Sequence, residues 1–439
     1  MLDGPIFSSM VRFAIPVLFS SIFQQLYNTM DTVIVGHTLG ETALAAIGSA
    51  TPVYDLLMGF ALGIGNGLSI VTARSYGSKN ENTLKKSVAG SLVIGAILTL
   101  VLTLLTRVGL LPFLKLLNTP EEILQESYKY SSCITLFMGV TFAYNLGAGI
   151  LRAVGNSLMP LLFLVVSSIL NIFLDIWFIT GLGMGVEGAA IATVLSQGVS
   201  VVLCILYIMK SAKILIPTRK HFKISREMYT EMMAQGISMG MMNCLVQAGT
   251  AILQTGINDL GYLVIAGHTS ARKLFSFSLM PFTAMIASVN TFVSQNFGAG
   301  NTERIRKSIK AAYLYNAVMT VIIMILVNIF APHMIRFISG SNEAVIIENG
   351  TLYLRVAAPA FFILGVINDT RTALQAIGSK ILPILSSIIE LIGKILFVSL
   401  LVPRFQYLAV IFCEPVIWCF MAAELVAAFW MHPQIRRVK

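Results

Sequence analysis

Long apolar runs recur along the whole chain, separated by short stretches where Gly, Pro and charged residues gather. Val88 to Thr106, Ala317 to Phe330 and Ile384 to Val402, the last interrupted only by Glu390 and Lys394, are on the scale of the ~20 residues that cross a hydrocarbon core. A window of that length, broken at Gly, Pro and charge clusters, predicts about twelve spans. Their limits are 9–36, 43–74, 87–110, 127–151, 157–180, 186–209, 228–258, 262–296, 308–331, 350–374, 380–402 and 406–431. Several exceed the minimum, which calls for tilt or for helix beyond the bilayer. The period-two alternation of a transmembrane barrel is absent, so the pattern predicts an all-α integral membrane protein.

The pattern is also duplicated. Arg74-Ser75-Tyr76-Gly77-Ser78-Lys79-Asn80 follows the second span and Gln295-Asn296-Phe297-Gly298-Ala299-Gly300-Asn301 the eighth, at an offset of 298 − 77 = 221. Leu151-Arg152-Ala153-Val154-Gly155 with Pro160 is matched by Leu374-Gln375-Ala376-Ile377-Gly378 with Pro383, at 383 − 160 = 223. An even number of spans per copy gives both copies one orientation and relates them by an axis along the membrane normal. The expected organisation is an N-terminal six-helix lobe at 1–210, a basic cytoplasmic linker at 211–226 and a C-terminal six-helix lobe at 227–439. A binding site is expected between the lobes near mid-membrane, and alternating access between repeats is a common use of the design.

Composition agrees with the pattern. Only 11% of the 439 residues are charged, against roughly 25% in soluble domains, and mean hydropathy is +0.82. A net charge of +10 would point to nucleic acid in a soluble chain, but its placement assigns it otherwise. Arg12, Arg74, Lys79, Lys85, Lys86, Arg152, the linker cations from Lys210 to Arg226, Arg304 to Lys310, Arg371, Lys380, Arg436, Arg437 and Lys439 fall on one side. Arg107, Lys115, Lys129, Arg336, Arg355 and Arg404 fall on the other. This asymmetry puts both termini in the cytoplasm of a multi-pass plasma or inner membrane protein, with the bilayer and not nucleic acid as its surroundings. The first helix lacks a small-residue cleavage site and is expected to be retained. Five cysteines inside apolar runs read as small core residues.

Against this background each ionisable group inside a span calls for a partner or a function, because it costs roughly 2.5–3.5 kcal/mol to insert. The first copy supplies Asp31 and Asp175, with Gln24, Tyr27, Asn171 and Thr193 as polar neighbours. Asp31 lies five residues before Gly36, Asp175 six before Gly181 and Thr193 eight after Gly185, so at ~1.5 Å per residue they share a depth in the outer half. Asn171 is one turn from Asp175 on the same face. Two carboxylates, an amide and a hydroxyl at one depth form an oxygen-rich pocket able to hold a proton or sodium, or else a static knot between helices. Asp55, near the outer end of its span, is expected to be solvated.

In the second copy, Glu390 and Lys394 are spaced for an intrahelical ion pair. Glu414 occupies the repeat position of Thr193, at 414 − 193 = 221, as a partner site or an interhelical bond. Lys273, beside Arg272, can counter a buried acid or an anionic substrate. Asp369 and Arg371 are expected as a solvated local pair near the inner end. Gly59, Gly63 and Gly67 form small-xxx-small steps for close packing, and Pro16 shares a helix with Asp31. His37, His221, His268, His333 and His432 are scattered without a metal or nucleophile motif, which leaves an integral-membrane enzyme poorly supported.

The stretch from Gln24 to Asp31, the Gly77 and Gly298 loops, Leu151-Arg152-Ala153-Val154-Gly155-Asn156 and the Asn171/Asp175 pair resemble the multidrug and toxic compound extrusion (MATE) transporters, in particular the DinF-like branch. The resemblance covers essentially the whole chain. It implies two pseudo-symmetric six-helix lobes around a central cavity, no cofactor, and export of small organic, often cationic and amphipathic, compounds in exchange for H+ or Na+ by a chain expected to be monomeric. Asp31, Asn171, Asp175 and Thr193 match the family's first-lobe cation site, including a sodium site, and Asn145 is a weaker match. Gln24, Tyr27, Lys273, Glu390 and Glu414 are candidates for the substrate cavity. The branch with an acid in the middle of span seven is not matched, because no carboxylate lies between Glu231 and Asp259. A flippase for a lipid-linked precursor, performed by relatives in the same superfamily, is the alternative. It calls for a basic cavity, for which the spans offer Arg272, Lys273 and Lys394.

Overall fold

The structure, a computed structural model, describes residues 1–116 and 121–436, without the side chains at 41–42, 44–45, 49–53 and 116. In a hydrocarbon core a backbone N–H has no water to bond, so each apolar run closes its hydrogen bonds within itself as helix. The helices are α1 (Ile6–Leu39), α2 (Glu41–Gly77), α3 (Glu81–Leu116), α4 (Glu121–Leu136), α5 (Met138–Ala153), α6 (Leu158–Ile176) and α7 (Val186–Ser211). After the linker come α8 (Arg226–Asn258), α9 (Tyr262–Gly298), α10 (Thr302–Ser339), α11 (Ala344–Ala376), α12 (Ile381–Leu396), the short α13 (Val402–Phe405), α14 (Tyr407–Met431) and α15 (Pro433–Arg436). Among the described residues, 11 helices are long and apolar enough to cross a membrane, and the bent pair α4/α5 brings the number to 12.

The fourth span differs from its expected form. It is two helices inclined at 44°, with the break at Phe137, and the backbone at Gly139 then runs so close to α3 that a Cβ there would lie 2.7 Å from Thr99. Helix continuity is given up where α5 presses onto its neighbour.

The duplication is written into the backbone. Left-handed φ angles recur at Gly40 and Gly261 (84° and 91°), Lys79 and Gly300 (56° and 72°), Gly155 and Gly378 (93° and 99°), and Gly183 and Gln406 (66° and 50°). Asn80 Oδ1 accepts from the Thr83 N–H at 3.1 Å as Asn301 Oδ1 accepts from that of Arg304 at 3.2 Å, the same N-cap used twice. Wide π-type turns end α6 and α12, at Trp177–Gly181 and Phe397–Leu401.

Two compact units result, Ile15–Gly240 and Met1–Ala14 with Met241–Lys439. Their boundaries fall inside α1 and α8, whereas the sequence pattern suggested the linker as the divide. The reason lies in the linker itself, which folds onto the first unit. Leu215 is buried in that unit's core together with Met232, His221 and Thr218 cap a 3-10 turn, and Arg74 pairs with Glu231 at 2.6 Å.

In the first unit α2 and α8 meet backbone to backbone. A Cβ on Gly63 would stand 2.7 Å from Gly240, and one on Gly67 2.7 Å from Gln235 and Gly236. Two of the three expected glycines are thus used, against a matching Gly236/Gly240 step on α8. Gly67→Ala is expected to cost about 1–3 kcal/mol through overpacking. Gly59→Ala, whose new Cβ meets nothing within 4 Å, is expected to be neutral or to stabilise by about 0.5–1 kcal/mol. Thermal unfolding of the two purified variants tests the contrast. The second unit is centred on aromatic stacking, with Phe361 at 4.9 Å from Phe275 and 5.7 Å from Phe282 between ring centroids.

Candidate functional site: an unsatisfied acid pair and a closed ionic network

The first unit brings together the polar residues that the sequence placed at one depth. Asp31 of α1 and Asp175 of α6 face each other carboxyl to carboxyl. Tyr27, one turn before Asp31, approaches the Thr193 hydroxyl of α7, which itself donates to the Ala189 carbonyl at 3.0 Å. Asp175 and Asn171 are both 0% exposed, since the α6 face that carries them lies against α7. Asn145 does not join them; its amide donates to the Thr141 carbonyl of its own helix at 2.8 Å. Gln24 lies on an exposed face of α1, and Asp55 is exposed, as expected.

What sets this cluster apart is its missing partners. Asp31 Oδ1, both carboxyl oxygens of Asp175 and both polar atoms of Asn171 are buried with no hydrogen-bond partner among the described residues. A buried polar atom left unpaired costs roughly 1–3 kcal/mol, and more when charged. Two carboxylates facing each other out of water cannot both persist as anions without a positive charge between or upon them. A proton or a monovalent metal cation supplies that charge, and the oxygen-only donor set suits a hard cation. The residues present therefore fit the ion that the resemblance implies.

Tyr130 and Tyr54 also surround the pair. Tyr130 of α4 neighbours Asp31, Asp175 and Tyr27, and Tyr54 approaches Thr141, whose hydroxyl donates to Gln197 Oε1. Neither tyrosine is assigned a role from sequence; Tyr130 lies on α4, which is rich in acids at its start and reads as the flank of a span. The available signal was a tyrosine inside an otherwise small and polar helical face. At the C-terminal end of α1 and the N-terminal ends of α4 and α7, the helices that carry Asp31, Tyr130 and Thr193, Leu39, Glu126, Lys129 and Glu187 help to line a cavity of about 230 Å³.

The second unit holds a different arrangement, in which charge is fully paired. Glu414 of α14 accepts from Arg272 at 3.0 Å and pairs with Lys394 at 3.3 Å, while Lys394 donates to Glu390 at 2.9 Å. Arg272 also donates to the Tyr353 hydroxyl at 3.0 Å, and His268 stacks edge-on against Tyr353 and Tyr407. The expected Glu390/Lys394 ion pair is present, and Glu414 links α14 to α9 and α12. The cation that reaches Glu414 from α9 is Arg272; Lys273, which follows it on the helix, is exposed. Asp369 and Arg371 are not the solvated local pair that their spacing suggested. Both are buried and they turn apart, Asp369 accepting from Asn316 at 2.7 Å and Arg371 donating to Ser386 at 3.1 Å.

Helical spans in two repeats define a polytopic membrane protein. The MatE family profile matches residues 16–177 and 238–400, once per copy and offset by 238 − 16 = 222, and the chain belongs to that family of multidrug efflux transporters. It is 26% identical over 395 residues to the probable multidrug resistance protein YoeA of Bacillus subtilis (strain 168), covering 88% of this chain and 85% of that one. It is 25% identical over 429 residues to the multidrug export protein MepA of Staphylococcus aureus (strain N315), covering 97% and 92%. Among solved structures, the outward-facing conformation of a multidrug resistance MATE family transporter of the MOP superfamily matches with a TM-score of 0.91, at 23% identity, over 100% of this chain and 98% of that one. A MATE in the bent conformation matches with a TM-score of 0.86, at 23% identity, over 98% and 96%. These structural likenesses establish the fold.

Proposed function

We propose that the protein exports small amphipathic organic compounds, often cationic, in exchange for protons or sodium ions by alternating access, with the coupling ion bound at Asp31, Asn171, Asp175 and Thr193. The observation that carries this reading is the acid pair of the first unit, whose buried oxygens face each other with no donor to satisfy them. A structural knot would have closed its hydrogen bonds, as the Glu414 network does. Relatives named as a multidrug resistance protein and a multidrug export protein supply the substrate class. Gln24 and Tyr27, on the same helix as Asp31, are the candidates for contact with substrate. Placement of the acids in the first copy, with none in the middle of α8, supports the DinF-like branch.

Of the three basic side chains that the spans offer a flippase for an anionic lipid precursor, Arg272 and Lys394 are already engaged by Glu414 and Glu390, which leaves the exposed Lys273. The positive-inside asymmetry supports cytoplasmic termini in the plasma membrane, and a monomer is the simplest working unit. The deciding measurement is efflux of a fluorescent organic cation from proteoliposomes under imposed proton and, separately, sodium gradients. Flux is expected to rise with one gradient and collapse with an ionophore that dissipates it; gradient-independent flux overturns the reading.

A further inference from the structure

A second buried acid, on α11, stands apart from the proposed coupling site and from the ionic network. Asp369 is 1% exposed and Asn316 of α10 is 0% exposed. They meet through one hydrogen bond, from Asn316 Nδ2 to Asp369 Oδ2 at 2.7 Å. The other oxygen of each, Asp369 Oδ1 and Asn316 Oδ1, is buried with no partner. Gly365, one turn before Asp369, leaves the room that the amide occupies, since a Cβ there would stand 2.6 Å from Asn316 Nδ2. Asn316 is thus packed directly against the α11 backbone.

A carboxylic acid and a primary amide can join through two hydrogen bonds in a ring, N–H to one carboxyl oxygen and O–H back to the amide oxygen. Here the first bond is made and the two atoms of the second are both unpaired acceptors. A proton on Asp369 Oδ1 would supply the donor that both oxygens lack. No charge is at hand to do this instead. The titratable groups that face Asp369 from α10 are Tyr313 and Tyr315, held by Thr370 and by the Pro281 carbonyl. Arg371 is turned toward Ser386 of α12, and its charged neighbours are Glu390 and Glu424. Among the described residues α9 and α14, also packed on α11, bring no charged side chain to Asp369. One carboxylate, one amide and a hydroxyl are too few oxygens to replace the shell of a metal cation, so the ligand is a proton.

We propose that Asp369 and Asn316 form a second, exchangeable proton site in the second unit, closed as an acid–amide ring when Asp369 carries the proton and opened when it leaves to water. No other bond is made or broken in the exchange. Asp369 lies seven residues from the end of α11 at Ala376, or ~10 Å along the helix at 1.5 Å per residue, on the side that the basic loops mark as cytoplasmic. The site rests on contacts of α10 and α11 alone, whereas its use in transport rests on the proton coupling proposed above.

Asp369→Asn tests it without emptying the site, because two amides form the same two-bond ring. The variant is expected to fold with unchanged or higher thermal stability. Infrared titration of the purified protein in detergent is expected to show a component of the protonated-carboxyl band that is lost as pH rises in the wild type and is missing in Asp369→Asn. Proton-driven efflux in liposomes is expected to fall about tenfold, a coupling loss within the usual range. An identical band titration in wild type and variant, or full proton-driven efflux in Asp369→Asn, overturns the proposal. Should that variant fail to fold, Asn316→Leu serves in its place: it removes the ring and is expected to move the band's midpoint by about one pH unit or more, and an unmoved midpoint overturns the proposal. Full efflux in Asp31→Asn would remove the first-unit reading while leaving the Asp369 result to stand or fall by itself.

Discussion

Ion-driven efflux is expected to fall by roughly 5- to 150-fold when Asp175 is replaced by Asn, the range of coupling free energies between linked sites. The substitution keeps the volume of the side chain, which matters at a position with no exposed surface. It removes the negative charge and the capacity to take up a proton or ligate a cation, while leaving the facing Asp31 in place. Asp31→Asn is expected to act in the same direction, because either change converts a pair that demands a positive charge into one that an amide N–H satisfies. Thermal stability should hold or rise in both variants, since orphaned oxygens gain a donor. Substrate binding without a gradient should change far less than gradient-driven flux. The proteoliposome assay reads both quantities, and full ion-driven efflux in both variants would show that the pair is structural.

Glu414→Gln is expected to destabilise the protein by about 3–5 kcal/mol, the cost of breaking a buried ion pair from one side. Glu414 is the shared acceptor for Arg272, Lys394 and Tyr353, and Lys394 is only 1% exposed. Without that carboxylate two cations answer to Glu390 alone. The double variant Glu390→Gln with Lys394→Met removes one charge of each sign and keeps the Arg272/Glu414 bridge. It is expected to stay within about 1 kcal/mol of wild type, because removing both members of a buried pair is often close to neutral. Thermal denaturation in detergent of the single and double variants decides the matter. Equal losses would mean that the network is held by packing and not by charge balance.

These two clusters show how differently buried charge is treated in the two units. Asp31 and Asp175 of the first unit are left facing each other without donors, whereas Glu390 and Glu414 of the second are tied into a chain with two cations, a tyrosine and an adjacent histidine. Both contained residues that the sequence singled out, yet only the contacts separate an unsatisfied site from a satisfied one. Span limits, the duplication and the depth of Asp31, Asp175 and Thr193 were legible because hydropathy, loop motifs and residue spacing are local properties. Selection of Arg272 over Lys273 was not, since adjacent residues point about 100° apart on a helix and the choice depends on which face α9 turns to α14. The burial of Asp369 and Arg371 was missed for the same reason: two residues apart, they lie on different faces and each finds a partner on another helix.

The sequence by itself determined that this is a helical membrane protein built of two repeats, how its basic residues are shared among the loops, and which scarce acids lie within the spans. Each follows from one-dimensional information, namely the length of an apolar run, the offset of a repeated motif and the side on which a loop emerges. Only the tertiary structure decided which of those acids is paired, which faces another acid and which keeps an unpartnered oxygen, and that the compact units divide inside α1 and α8. Those outcomes depend on the rotation and register of one helix against the next, set by close contacts such as Gly63 on Gly240 and Gly365 on Asn316, and no single helix encodes them.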